Sequence, residues 1–136
     1  MKIRSATQND EDALVALWHA CGLTVPYNDP GDDFRFALGK PGSDVLVAQD
    51  DAVIGSVMVG HDGHRGWLYY VAVAPSHRGR KIGRALVEAA ENWLMQRGVR
   101  KAQLMVRETN ESVAAFYQRL GYDLMPRINM QKWLKP

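Results

Sequence analysis

The stretch VAVAPSHRGRKIGRAL, residues 71–86, passes from an apolar, β-branched run through a proline-marked turn into a helix entrance loaded with charge. Four cationic side chains, Arg78, Arg80, Lys81 and Arg84, and two glycines, Gly79 and Gly83, crowd this entrance. A helix start carries unpaired backbone N–H groups and the positive end of the helix dipole, and glycine lets a ligand approach the backbone closely. A pyrophosphate suits such a place. A solvated basic helix end and a nucleic-acid patch are the alternatives, the latter weakened because no aromatic residues alternate with the cations as base-stacking surfaces require. The P-loop spacing, GxxxxGK followed by Ser or Thr, does not occur, nor does GxGxxG. Nucleotide hydrolysis and dinucleotide hydride chemistry are therefore disfavoured.

Working outward, the chain reads as alternating element types. MKIRSA (1–6) suggests a strand, and Thr7 with Asp10 forms a capping-box-like start for a helix carrying Leu14, Leu17, Trp18 and Cys21 at helical spacing, stopped by Gly22. Pro26, Asn28, Asp29 and Pro30 mark an irregular loop before a short helix near Asp32 to Leu38. DVLVAQ (44–49) and AVIGSVMVG (52–60) form a hairpin across Asp50 and Asp51; HDGHRG (61–66) turns into the strand WLYYVAVAP. A helix follows from about Gly79 to Arg97, with Ile82, Leu86, Ala89, Trp93 and Leu94 as its apolar stripe. KAQLMVRE (101–108) reads as a strand, SVAAFYQRL (112–120) as a helix, and YDLM with INMQKWL as a terminal strand pair. The class is mixed α/β (α+β), with helices inserted between strand groups.

Composition sets the bounds. At 136 residues, 46% hydrophobic, the chain suits a single domain over 1–136, able to bury roughly two thirds of its unfolded surface. The 17 basic residues are balanced by 15 acidic ones, so the cations at 78–84 are a local concentration and not part of a uniformly basic, nucleic-acid-binding surface. One cysteine and four scattered histidines offer neither a disulfide framework nor zinc-ligand spacing, so no metal is expected. No apolar run approaches the roughly 20 residues that span a bilayer, and the start MKIRSATQND lacks a signal-like apolar segment, which points to a cytoplasmic protein without membrane partners.

The junction at 71–86 resembles the acetyl-coenzyme A segment of the GCN5-related N-acetyltransferase (GNAT) family, whose pattern is Gln or Arg, two residues, Gly, one residue, then Gly or Ala. Arg78 fills the first position and Gly83 the last. A second segment, VRETNESVAAFYQRLGY (106–122), is similar to the family's later motif: an asparagine after a strand, then a helix ending in Tyr, two residues, Leu-Gly and an aromatic. Two motifs in order are far more specific than either, and the likeness is nearest to the small bacterial YpeA-like branch.

The resemblance implies a central, mostly antiparallel sheet of six to seven strands, splayed at the cofactor site and flanked by about four helices. It implies acetyl-CoA as cosubstrate and direct acetyl transfer to a primary amine. Backbone groups of Val71 and Val73 would pair with the pantetheine arm, the Val71 N–H donating to the thioester carbonyl where negative charge grows. Backbone N–H groups across Arg78, Gly79, Arg80, Lys81, Ile82, Gly83 and Arg84 would hold the pyrophosphate. Asn110 would bond the pantetheine arm, and Tyr117 would serve the departing sulfur as acid or hydrogen-bond donor.

Two departures qualify it. Lys81 stands where the pattern usually has its first glycine, and its ability to take ordinary helical angles makes it tolerable there. No general base is evident: Tyr69 and Tyr70 occupy the strand positions where family acids often stand, Met105 replaces a glutamate of one branch, and Glu108, His61, His64 and Tyr69 are left as candidates acting through water. Cys21 and His19, two apart on a helix, face different ways and do not read as a nucleophilic pair, and Cys21 reads as a small buried thiol; Trp18 and Trp93 read as core. Asp29, Asp32 and Asp33 suit either a helix start or the steering of a cationic amine. The alternatives to an N-acetyltransferase are a CoA-binding sensor without turnover and a nucleic-acid binder. The acceptor amine is unreadable, and a terminal strand pair would leave edges on which two copies could associate as a homodimer.

Overall fold

The computed structural model describes residues 1–135; the chain divides into two compact units, Met1–Met105 and a second from Val106 onward. The first holds strands β1 (Lys2–Ser5), β2 (Ser43–Asp50), β3 (Ala52–His61), β4 (Gly66–Val73) and β5 (Ala102–Gln103), and helices α1 (Glu11–Ala20), α2 (Pro30–Ala37) and α3 (Ile82–Gln96). The second holds α4 (Glu111–Arg119). The sheet order is β1-β2-β3-β4-β5, antiparallel except for the parallel β4–β5 pair.

Alternation along β2 builds a three-layer unit. Val45 and Val47 pack with Leu14, Leu17 and Trp18 of α1 and Phe34 of α2, whereas Leu46, pointing the other way, borders Ala89 and Trp93 of α3. On that second face glycine sets how closely α3 lies: a Cβ on Gly66 would come within 2.6 Å of Leu94, and one on Gly55 within 3.0 Å of the Ala72 carbonyl. The buried stripe of α3 is Ile82, Leu86, Val87, Ala90, Trp93 and Leu94. Ala89, expected in it, is only half-buried, and Val87 and Ala90 take its place.

The junction of β1 and α1 is pinned electrostatically. Arg4 donates two bonds to the Asp10 carboxylate, at 2.9 and 3.0 Å, and the Thr7 N–H donates a third at 2.8 Å, closing the capping box. These donors, the guanidinium foremost, hold the Asp10 carboxyl below its usual range.

Three expectations are corrected. The described residues form five strands and not six or seven. The expected strand over 101–108 contracts to Ala102–Gln103. No strand forms in 122–135: Leu124, Ile128, Met130 and Leu134, whose spacing suggested a pair, stand 80%, 90%, 89% and 90% exposed, and Pro126, lacking an N–H, interrupts the run. Among the described residues no helix is long and apolar enough to cross a membrane.

Candidate active site

The first part of the candidate site is a fork in the sheet. The β4–β5 ladder consists of Gly66↔Ala102 and Trp67↔Gln103, anchored by the bond from the Gly66 N–H to the Lys101 carbonyl at 2.8 Å. Beyond Trp67 that flank of β4 has no ladder partner among the described residues, whereas its other flank stays paired with β3 as far as Val73. This is the expected splay, lying beside Val71 and Val73.

The same strand is bulged. Ser56 pairs with Ala72 and Met58 with Tyr69, so Val57 alone faces both Tyr70 and Val71. Tyr70 absorbs the extra residue at φ 50°, a left-handed conformation that a bulky side chain adopts only when its surroundings hold it there. They do. Its ring stacks on that of Trp18 with centroids 4.0 Å apart, its hydroxyl donates to Asp33 Oδ2 at 2.8 Å, and its carbonyl accepts from Ser56 Oγ at 2.8 Å. Burial, reinforced by the Asp33 carboxylate, raises the Tyr70 pKa and keeps the phenol a donor. Neither the bulge nor Ser56 was expected, since LYYVAV reads as a continuous strand. The available signal was a hydroxyl in the otherwise apolar buried run of β3, which must find partners.

The cationic loop follows. Gly79 and Lys81 are both left-handed, at φ 82° and 61°, and Lys81 is the N-cap of α3. Two left-handed residues in three cannot be helical, so α3 begins at Ile82 and not at Gly79. The reading of Lys81 as an ordinary helical residue is therefore corrected: the position demands the geometry glycine favours, and lysine adopts it at a cost. The Lys81 side chain makes no capping bond to this end of α3. The N–H groups of Ile82, Gly83 and Arg84 precede the bond from Ala85 to the Lys81 carbonyl at 3.1 Å and have no earlier helical carbonyl to meet.

The four cations divide. Arg78 turns back on β4, its Nε donating to the Val73 carbonyl at 3.3 Å and its Nη2 lying 3.6 Å from Cys21 Sγ. Arg84 pairs with Glu88 at 3.0 Å. Arg78, Arg80 and Lys81 belong to no ion pair among the described residues, and the side chains of Arg80 and Lys81 make no hydrogen bond there either, which leaves these two least committed. Cys21 also donates to the Val73 carbonyl, at 3.4 Å, so that carbonyl is already engaged.

Lys81 yields the first prediction. Lys81→Gly relieves the left-handed strain, is expected to stabilise the protein by about 1 kcal/mol, and should raise Tm by about 3 °C, read by thermal unfolding without ligand. A lower Tm would contradict the conformation.

In the second unit, Asn110 caps α4, its side-chain oxygen accepting from the Val113 N–H at 3.3 Å and from Ser112 Oγ at 3.2 Å. That oxygen is committed locally, and the amide nitrogen is what Asn110 has to offer a ligand. Tyr117 is buried, with the rings of Phe116 and Tyr122 edge-on at 5.0 and 5.8 Å. Burial pushes its phenol up to about 12, and among the described residues its hydroxyl makes no hydrogen bond. At neutral pH it is a protonated phenol.

The base candidates in the first unit separate by position. His61 and His64 belong to the β3–β4 hairpin, and five residue steps of strand, about 16 Å, separate Gly66 from Val71. Tyr69 is 42% exposed and lies alongside Trp67; its pKa is raised, chiefly by desolvation. The acidic residues before and within α2 have structural partners: Asp29 caps the helix through the Gly31 and Asp32 N–H groups, Asp32 pairs with Arg35, and Asp33 receives the Tyr70 hydroxyl. Glu108, in the second unit, is exposed.

Comparison with known proteins agrees with this geometry. Residues 6–122 match the model of the acetyltransferase (GNAT) family. An acetyltransferase of Pectobacterium atrosepticum is 42% identical over 135 residues, covering 98% of this chain and 96% of that protein. Among solved structures, AAC(6')-Iy in complex with the bisubstrate analogue CoA-S-monomethyl-acetylneamine superposes with a TM-score of 0.82 at 19% identity, covering 97% of each chain. A predicted acetyltransferase of Clostridium acetobutylicum with acetyl-CoA gives 0.79 at 16% identity, covering 96% and 95%.

Proposed function

The chain belongs to the acetyltransferase (GNAT) family and is an acetyl-CoA-dependent acyltransferase; from that premise we propose that it is an N-acetyltransferase acting on a primary amine by direct attack. The observation that carries this reading is the fork: a strand bulged at Tyr70, unpaired on one flank from Leu68 to Val73 among the described residues, leading into a loop whose two left-handed residues end in a helix that the Lys81 side chain does not cap. An extended pantetheine arm would fill the unpaired flank as a surrogate strand. The N–H groups of the 78–84 segment, with Arg80 and Lys81, would hold the pyrophosphate. The Val71 N–H would bond the thioester carbonyl, Val73 would pair with the arm through its N–H, its carbonyl being taken, and Asn110 would contribute its amide nitrogen. The family match, running over residues 6–122, supports treating 1–136 as one acetyltransferase domain.

In this reaction the amine nitrogen attacks the thioester carbon, negative charge gathers on the carbonyl oxygen, and collapse breaks the C–S bond. An amide and free thiol result, the amine's proton balancing the thiolate. An alkyl amine with a pKa near 10 is mostly protonated at neutral pH, and freeing it costs roughly 4 kcal/mol, so the rate should climb with pH until the amine is deprotonated. Tyr117 takes the sulfur side. The AAC(6')-Iy complex supports an amine acceptor as a class and leaves the individual amine open.

The test is thiol release from acetyl-CoA against a panel of aminoglycosides, polyamines, amino acids and peptides with free N-termini. At least one amine should accelerate release well above hydrolysis and yield the acetylated product by mass. Tight CoA binding with no amine-dependent release would favour the sensor reading instead.

A further inference from the structure

Ser56 lies at the centre of β3 and is completely buried, in the run Ile54-Gly55-Ser56-Val57. A hydroxyl in such a place is costly unless both its donor and its acceptor capacity are used. Both are. The buried indole Nε1–H of Trp18 donates to Ser56 Oγ at 2.9 Å, and Ser56 Oγ donates to the Tyr70 carbonyl at 2.8 Å. The carbonyl it holds belongs to the bulge, where ladder pairing is interrupted.

The consequence follows from peptide geometry. The Tyr70 carbonyl and the Val71 N–H are the two ends of one planar unit, and with no cis peptide bond among the described residues they point in opposite directions. Anchoring the carbonyl on Ser56 Oγ therefore aims the Val71 N–H away from Ser56. Rotation of that unit is further resisted because the Tyr70 side chain is held by the Trp18 stack and by Asp33. A donor on the carbonyl oxygen also draws electron density through the amide and makes its N–H the stronger donor. Successive bonds in such a chain reinforce one another by roughly 10–30%.

We infer that Ser56, oriented by Trp18, is a positioning residue for acetyl transfer, aiming and polarising the Val71 N–H through the Tyr70–Val71 peptide. The inference rests on the proposed role of Val71 as donor to the thioester carbonyl. It extends that role to a relay running Trp18 Nε1–H, Ser56 O–H, Tyr70 C=O, Val71 N–H, in which each bond is set by the one before it. An alanine at 56 would keep the strand and remove the relay. Trp18→Phe would keep a ring against Tyr70 and remove only the first donor.

The experiment is isotope-edited infrared spectroscopy of acetyl-CoA labelled with carbon-13 at the thioester carbonyl, bound to the full chain and to its Ser56→Ala and Trp18→Phe variants, with CoA affinity measured in parallel by calorimetry. The wild-type carbonyl band should lie below that of free acetyl-CoA. Ser56→Ala should lose roughly a third of that shift and Trp18→Phe a smaller part, while affinity for CoA, which has no acetyl group, stays within about 2-fold. A wild-type band at the free position would overturn the Val71 assignment and the relay with it. A shifted wild-type band that stays unmoved in both variants would overturn the relay alone. Should Ser56→Ala fail to fold, the Trp18→Phe band decides between these outcomes.

Discussion

Tyr117→Phe is expected to lower kcat about 100-fold while leaving acetyl-CoA affinity within about 2-fold. The substitution removes one oxygen and keeps the ring, so the edge-on packing with Phe116 and Tyr122 survives and a fall in rate would not reflect a lost core. The proposed role falls to the oxygen: its pKa is pushed up to about 12 by burial, it makes no hydrogen bond among the described residues, and it stays a donor throughout the range in which an amine becomes nucleophilic. The sign with pH follows. A phenol raised above its ordinary value stays protonated as pH climbs, so kcat should rise with amine deprotonation and level near pH 10, with no descending limb from Tyr117 below about 11. Tyr117→Phe should show the same profile, displaced downward. Stopped-flow thiol release between pH 6 and 10.5 checks both points, and a variant retaining half of the wild-type rate would remove Tyr117 from the mechanism.

The second large effect is on stability. Trp18→Ala is expected to destabilise the protein by about 3–5 kcal/mol, a large share of the margin a domain of this size has, and to lower Tm by about 15 °C. Trp18 has no exposed surface, packs in the cluster of Leu14, Leu17, Phe34, Val45 and Val47, and lies flat against Tyr70. Its removal opens a cavity the size of an indole and withdraws the surface that holds Tyr70 left-handed. Guanidinium unfolding followed by circular dichroism measures the effect. A loss below 1 kcal/mol would mean that the stack contributes little and that Tyr70 is held by its bonds to Asp33 and Ser56.

What the chain disclosed about itself depended on whether the signal was local. The junction at 71–86 was legible because proline, glycine and clustered charge mark a strand, a turn and a helix entrance within sixteen residues. The helix boundary was misplaced by three residues because nothing in Arg80-Lys81-Ile82 announces a left-handed lysine; that conformation is imposed by the loop and not by lysine's own preference. The same blindness covered Tyr70, whose backbone is dictated by Trp18, Asp33 and Ser56, residues 52, 37 and 14 positions away in the chain. Asp33 reads in the sequence as suited to a helix start or to steering an amine, and neither reading contains the bond it accepts from the Tyr70 hydroxyl. The terminal strands failed for the opposite reason: local apolar spacing suggested them, but a strand exists only where an edge accepts it.

The fork has a consequence for how the protein survives between turnovers. β4 lies one place in from the end of the strand order, yet beyond Trp67 one flank of its backbone has no ladder partner among the described residues, as at the rim of a sheet, and rims recruit other chains into fibrils or misassembled pairs. The bulge interrupts this flank: a strand arriving in regular register would meet, at Tyr70, a backbone turned the wrong way. The distortion makes this flank a poor template for a further strand, so the bulge works against edge-to-edge pairing here as charged or twisted edges do elsewhere.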